Sequence, residues 1–319
     1  MSIISTDISK AVALLTNEEL VAIPTETVYG LAGNIYSEKA IKAIFETKKR
    51  PFFNPLIVHI PSINLLSDIV DYIPEKAQQL ADAFWPGPIT LVLKKKAIIP
   101  DMITAGKDTV AVRIPNHPTT LALLKQLPFP LAAPSANPFS SISPTCAQHV
   151  DDYFKDSIKM VLDGGVCKSG IESTIIGFIN DEPVIYRLGS TPIEAIEAVV
   201  GKIEIKNKKE VAPDAPGMLE RHYAPKTKTV LTTQLLETIN KYNGKRVGVI
   251  TFQSEINDSA IDAQMALSKT GDLVEAASHL YQILHQLDKM QLDVIIAEKL
   301  PNYGLGKSIN DRLSRATKE

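Results

Sequence analysis

The chain has 319 residues, 45% of them apolar and 22% charged, with a formal net charge of −2. That length suggests two domains or one large one, and the composition is that of a folded, soluble protein. No apolar run reaches the roughly 20 residues a membrane helix needs, and the absence of a basic excess disfavours nucleic acid as the main ligand.

Residues 1–10 have no basic start followed by an apolar block, so they do not read as a signal peptide. Short apolar runs then alternate with helical patterns. Strands are predicted over 20–23, 56–60, 90–93, 109–114, 131–133, 160–162, 174–178 and 184–187. Several are continuously apolar, as in strands buried on both faces. Ser37 is placed to cap a helix whose apolar face is Ala40, Ile41, Ile44 and Phe45. Further helices are predicted over 74–84, 118–126, 144–154 and 192–200, each opening on a proline whose missing N–H costs nothing in a first turn. The pattern is that of an α/β domain with a mixed, largely buried sheet. From about residue 201 the texture changes to a charged stretch punctuated by Pro213, Pro216 and Pro225, which reads as a linker. A smaller α/β unit follows, with strands over 246–252 and 294–298 and a long amphipathic helix over 272–290.

Candidate chemistry sits at strand ends. The run Pro24-Thr25-Glu26-Thr27-Val28-Tyr29-Gly30 follows the first strand, where open α/β sheets place ligands; it reads equally as a plain turn whose Thr and Glu bond their own backbone. Lys48-Lys49-Arg50-Pro51 ends the Ser37 helix, either as dipole-stabilised cations or as a phosphate clamp. Asn54 and His59 follow; a lone histidine on an apolar strand is commonly a core residue. In Asp108-Thr109-Val110-Ala111-Val112-Arg113-Ile114 alternation puts Thr109, Ala111 and Arg113 on one face, and Arg113 needs an anion, internal or bound. The loop from Ala132-Ala133-Pro134-Ser135-Ala136-Asn137 to Ser143, the turn Asp163-Gly164-Gly165, the run Gly170 to Thr174 and the end Arg187-Leu188-Gly189 complete the set. The two cysteines, Cys146 and Cys167, form no CxxC pair and no Cys/His zinc pattern, and read as reduced thiols of a cytoplasmic protein. No Walker A, G-x-G-x-x-G or G-x-S-x-G pattern is present.

Taken in order, the pieces PTETVYGL, KKRPFFNPLIVHI, WPGPITLVL, DTVAVRIP, APSAN with SPT, DGG, IESTI, YRLG and APGMLERHYAP resemble the threonylcarbamoyl-AMP synthases, the YrdC-like family, in their long two-domain form. The resemblance implies a YrdC-like catalytic domain over 1–205 with a twisted mixed sheet, a Pro-rich linker over 206–228 that closes over the site, and a Rossmann-like α/β domain over 229–319. It implies a nucleotidyltransferase that makes threonylcarbamoyl-AMP and pyrophosphate from L-threonine, bicarbonate and ATP, with Mg²⁺ arriving on ATP and no dedicated metal cage. Thr27, His59, Arg113, Ala133 and Ser173 would surround threonine. Lys48, Arg50, Asn54, Thr109, Ser135, Asn137, Ser143, Arg187 and Tyr223 would hold ATP, with Lys48 and Arg50 carrying the catalysis by charge. The product would pass to a tRNA threonylcarbamoyltransferase complex, with direct tRNA binding left open and no membrane partner. Two rival readings are a carbamoyl-AMP-forming carbamoyltransferase of the hydrogenase-maturation type, which adds zinc-finger Cys pairs absent here, and an RNA-binding module, which the acidic balance opposes.

Overall fold

A computed structural model describes residues 3–206 and 222–317, so most of the linker expected over 206–228 lies outside the described residues. The strands in chain order are β1 (Ile3–Ser5), β2 (Val21–Ile23), β3 (Gly30–Asn34), β4 (Ile57–His59), β5 (Ile89–Lys94), β6 (Thr109–Arg113), β7 (Leu131–Ala132), β8 (Met160–Leu162), β9 (Thr174–Ile179), β10 (Glu182–Arg187) and β11 (Glu204–Ile205), then β12 (Lys228–Thr232), β13 (Val247–Thr251), β14 (Ala263–Ala266) and β15 (Val294–Glu298). The principal helices are α1 (Ile8–Thr16), α2 (Glu38–Lys48), α3 (Glu75–Phe84), α4 (Pro118–Gln126), α5 (Ala147–Phe154), α6 (Ile193–Val200), α7 (Leu235–Asn240), α8 (Leu273–Asp288) and α9 (Leu305–Ala316).

The first eleven strands form one mixed sheet in the order β1-β8-β2-β3-β7-β4-β6-β5-β9-β10-β11. The expected strands all form, with ends shifted by a residue or two. β3 was not expected: its sequence Gly-Leu-Ala-Gly-Asn lacks β-branched residues, yet it is held antiparallel between β2 and β7. Ser37 caps α2 through Oγ to the Ala40 N–H at 3.1 Å, as predicted. That helix stops at Lys48 because Lys49 turns left-handed (φ 52°), two residues before Pro51. The helix expected over 144–154 starts at Ala147, after an extended Cys146.

Alternation along the buried strands divides the sheet into two faces. One face packs Leu31, Val58, Leu91 and Val112 under α2, α3, α5 and α6. The other face is covered only at one end, where Val21, Ile23, Leu131 and Leu162 meet Leu15 of α1 and Leu123 of α4. Beyond that cover, Ile57, Val92, Ala111 and Ile175 form a small apolar patch with Tyr186 packed against it. The site described below adjoins this patch at Ile57.

The C-terminal unit is a four-stranded parallel sheet in the order β12-β15-β13-β14, a Rossmann-like arrangement that begins at Lys228. Its helices α8 and α9 turn toward the first domain. Leu280, Tyr281, Leu284, Ile309 and Leu313 share one apolar core with Val28, Ile142, Ile171 and Tyr223. Gly170 (φ +70°) makes that approach possible, because a Cβ there would lie 2.4 Å from the Ser278 Cα of α8.

Candidate active site

The turn after β2 bonds its own backbone and also lines a cavity. Thr25 Oγ1 donates to the Val28 carbonyl (2.6 Å) and accepts from the Thr27 and Val28 N–H groups (3.2 Å each), so it organises its own turn. Thr27 Oγ1, 2.8 Å from Thr25 Oγ1, accepts from Arg113 Nη1 at 2.9 Å. The next residues are stitched to the Ser/Pro loop: the Tyr29 N–H donates to the Pro144 carbonyl and the Ala136 N–H to the Tyr29 carbonyl, at 2.9 and 2.7 Å. Gly30 then passes so close to the facing strand that a Cβ would sit 3.1 Å from the Ala133 Cβ.

A cavity opens there, lined by Thr25, Thr27, Val28, Gly30, Arg50, Ile57, His59, Arg113, Ala133, Pro134, Ser135, Glu172, Ser173, Arg187, His222 and Tyr223. All five residues expected around the amino acid are present. Arg113 is buried and already has an internal anion: Nη2 lies 2.8 Å from Glu26 Oε1, out of hydrogen-bond alignment, while Nε donates to the Gly87 carbonyl. Of its five N–H donors this leaves one on Nη1 and both on Nη2 for a further acceptor. His59 is buried beside it, and burial, followed by the charge of Arg113, pushes the imidazole down to about 3. It is therefore neutral at pH 7. Ser173 Oγ shares a proton with Thr90 Oγ1 at 2.8 Å and accepts from Arg187 Nη2 at 3.0 Å.

Four of the nine residues expected on the nucleotide line the same cavity: Arg50, Ser135, Arg187 and Tyr223. Arg50 donates to the carbonyls of Asn54 and Pro55, and its cationic form is disfavoured first by burial and then by Arg187. Lys48 stands behind the wall with 1% exposure, its Nζ 2.5 Å from both the Ser135 and the Asn137 carbonyls. Neither Lys48 nor Arg50 has a carboxylate partner among the described residues. Burial, and then Arg50, pushes the Lys48 ammonium well below its ordinary value, so an anion bound beside Lys48 and Arg50 would favour the charged form of both. Burial above all, with further pressure from Arg50, Lys48 and Arg187, keeps His222 neutral.

Asn54 is fully buried with both side-chain polar atoms unpartnered. Asn137 spans the Pro138 and Ser141 carbonyls at 2.9 Å each, shaping the loop. Ser143 donates to Glu172 at 2.6 Å. Thr109 is not brought into the cavity. It lies on the Arg113 face of β6, about 13 Å along the strand by the usual rise, in an open cleft of about 520 Å³ with Val92, Lys107, Asp108, Phe178 and Tyr186.

His222 and Tyr223, beyond the linker residues left undescribed, form the roof. Tyr223 is left-handed (φ 63°), its ring 4.0 Å from that of His222, and its hydroxyl is buried without a partner. With this roof in place, the centres of water-sized molecules have only about 40 Å³, which at roughly 10–15 Å³ each is room for a few waters.

Sequence reasoning placed Glu172 in a candidate run without a role of its own, and passed over two residues of the C-terminal domain that reach it. Glu172 Oε2 accepts from Tyr281 (2.9 Å) and from Arg312 Nε (2.8 Å). Burial alone would push this carboxyl up, but Arg312, then Arg187 and the Ser143 hydroxyl, bring it down to about 2. The available signal was Arg312 standing at helical spacing among Leu305, Ile309, Leu313 and Ala316, on a face that must be buried.

A mixed α/β domain with a cation-rich, hydroxyl-lined cavity at its strand ends, roofed by a segment leading to a Rossmann-like domain, defines a two-domain YrdC-type protein. Residues 13–189 match the family model described as "Telomere recombination" (Sua5_yciO_yrdC), and residues 191–317 match "Threonylcarbamoyl-AMP synthase, C-terminal domain". The chain belongs to the threonylcarbamoyl-AMP synthase family. It is 41% identical to the threonylcarbamoyl-AMP synthase of Pyrococcus abyssi over 96% of this chain and 93% of that protein. It is also 41% identical to that of Bacillus subtilis, over 97% and 92% respectively. Its fold matches the crystal structure of P. abyssi Sua5 complexed with L-threonine with a TM-score of 0.92 and 40% identity, covering 99% of this chain and 97% of that one.

Proposed function

We propose that this protein is an L-threonylcarbamoyladenylate synthase, a nucleotidyltransferase that forms threonylcarbamoyl-AMP and pyrophosphate from L-threonine, bicarbonate and ATP for the threonylcarbamoyladenosine modification of tRNA. The observation that carries the reading is the pairing of two chemistries in one cavity. Buried cations without carboxylate partners suit a polyphosphate, and beside them Arg113, Thr27, neutral His59 and Ser173 suit a small hydroxylated amino acid. The free N–H groups of Arg113 take the threonine carboxylate. His59, too weak a base to draw a proton from an ammonium, serves as a neutral hydrogen-bonding partner.

The threonine ammonium loses a proton to water, its amine adds to bicarbonate-derived CO₂, and loss of a second proton to water leaves a carbamate. A carbamate oxygen attacks the α-phosphorus, and the bond to pyrophosphate breaks. The nucleophile is already anionic, so the work falls to groups that stabilise charge growing on phosphate oxygens. Arg50 and Arg187 face those oxygens, while Lys48 holds the Ser135–Asn137 loop against them from behind. Glu172 is tied up by Ser143, Tyr281 and Arg312. Mg²⁺ carried by ATP would add positive charge to the same phosphate oxygens that Arg50 and Arg187 face. A cavity for a few waters cannot admit ATP, so the His222–Tyr223 roof withdraws to admit it and returns to exclude water from the labile carbamate. Two free thiols, Cys146 and Cys167, fit a reducing cytoplasm. The product passes to a tRNA-modifying transferase.

One mixture tests the assignment: protein, L-threonine, bicarbonate, ATP and Mg²⁺, read by mass spectrometry and by pyrophosphate release. Threonylcarbamoyl-AMP should accumulate with pyrophosphate. Turnover with another amino acid but not with threonine would overturn the substrate, and submicromolar RNA binding without turnover would favour a binding module.

A further inference from the structure

Arg312 is the largest fully buried side chain among the described residues, with 0% exposure, and it belongs to the C-terminal domain. An arginine is buried this way only where its charge and donors are answered. Its partners lie on three separate segments around the cavity. Nε donates to Glu172 Oε2 at 2.8 Å, beside Ser173. Nη2 donates to the Leu188 carbonyl at 2.5 Å, next to Arg187. The guanidinium carbon lies 4.7 Å from the ring centroid of Tyr223 in the roof. Nη1 turns back to Asp311 at 2.7 Å, which steadies the fork on its own helix. Tyr281 of α8 supports the same arrangement, with its hydroxyl on Glu172 and its ring stacked 5.9 Å from Tyr223.

We infer that Arg312 is a positioning residue for adenylation: through Glu172, the Leu188 carbonyl and the Tyr223 ring, it sets Ser143, Arg187 and the roof in the places the nucleotide requires. The C-terminal domain thereby completes the nucleotide half of the site rather than merely flanking it. Only a planar, multi-donor cation spans these partners, because lysine offers a point charge where three directions are needed. The amino-acid half is built differently. Among the described residues no hydrogen bond or ion pair joins Thr27, His59 or Arg113 to Arg312 or Tyr281; Ser173, held by Arg187, is the member of that half nearest to them. The two substrates should therefore respond unequally to the loss of Arg312.

The inference rests on the activity proposed above, so the wild type is measured first: no threonylcarbamoyl-AMP from it would sink that activity, independently of Arg312. Given an active wild type, Arg312→Met should lower kcat/KM for ATP by roughly 10²-fold, as misplacement of about 1 Å can, while KM for threonine stays within about threefold. Arg312→Lys should fall between the two. Because a buried Glu172 stripped of its cation can harm folding, Tyr281→Phe provides a gentler arm. It deletes one hydroxyl from the same carboxylate and should show the same ATP-selective loss with an unchanged melting temperature. Combining Arg312→Met with Glu172→Gln should cost far less than the sum of the two single effects, as expected for residues acting in series. Wild-type ATP kinetics in Tyr281→Phe and Arg312→Met would overturn the inference. So would equal losses for both substrates that track melting temperature, or strict additivity in the double variant.

Discussion

His149 of α5 and His285 of α8 stack face to face across the seam between the two domains, their ring centroids 3.8 Å apart. His285 Nε2 lies 3.2 Å from the Ser143 carbonyl, and His149 Nδ1 lies near the Thr145 hydroxyl. The Lys289–Asp152 ion pair sits alongside. Burial pushes both imidazoles down, His149 to about 3 with further pressure from His285 and then Lys289, and His285 to about 4 with Lys289 adding to the fall against the opposing Ser143 carbonyl and Asp152. A histidine whose folded value is depressed stabilises the fold above its unfolded value and loses that contribution as protons return. The melting temperature should therefore fall as pH drops from about 6.5 toward 4, and His285→Phe should flatten that slope. His59 and His222 contribute in the same direction, so the difference between variant and wild type is the measurement. Identical slopes would remove the seam from the account.

Arg50 and Arg113 line one cavity and should fail differently. Arg50→Ala removes a cation from the phosphate field and should raise KM for ATP at least about tenfold, with threonine little affected. Arg113→Ala should do the reverse. It also strands Glu26 without its cation, so its melting temperature should drop by an amount equivalent to about 3–5 kcal/mol. Steady-state kinetics with each substrate varied in turn decide between these patterns, and two wild-type profiles would refute the map.

The buried Tyr223 hydroxyl has no partner, whereas its ring sits under Arg312. Removing an unsatisfied hydroxyl is near neutral or stabilising. Tyr223→Phe should thus melt at or slightly above the wild-type temperature while using ATP several-fold less well. A drop in melting temperature with unchanged ATP kinetics would mean that the hydroxyl serves the fold rather than the nucleotide.

Gly170 marks the closest approach of the two domains. Gly170→Ala meets both a left-handed backbone and the α8 backbone, and should cost roughly 1–3 kcal/mol or more. Because the strain falls on the seam, activity should fall in parallel with stability. Calorimetry that shows an unchanged transition would contradict the packing described.

Much of this was legible along the chain, for a physical reason. Hydroxyls, amides and cations at strand ends have few bland uses in such number, so Thr27, Arg50, Ser135, Ser173 and Arg187 stood out before their convergence was visible. The Ser37 cap and the N1 proline of α4 are local devices that need no partner to be recognised. What escaped depends on distant partners. β3 is a strand only because β2 and β7 flank it. Thr109 shares a face with Arg113, but alternation says nothing of distance along that face. Glu172 was part of a noted motif, yet its importance comes from Tyr281 and Arg312, more than 100 positions away.

That separation also has a consequence for how the protein is made. Glu172 precedes Arg312 by 140 residues, and at about 5–20 residues per second the ribosome takes roughly 7–28 s to cover the gap. During that interval the first domain can fold while its carboxylate waits for a cation that does not yet exist. A chain released before Arg312 is made would carry the Glu172 carboxylate without the guanidinium that Arg312 brings to it.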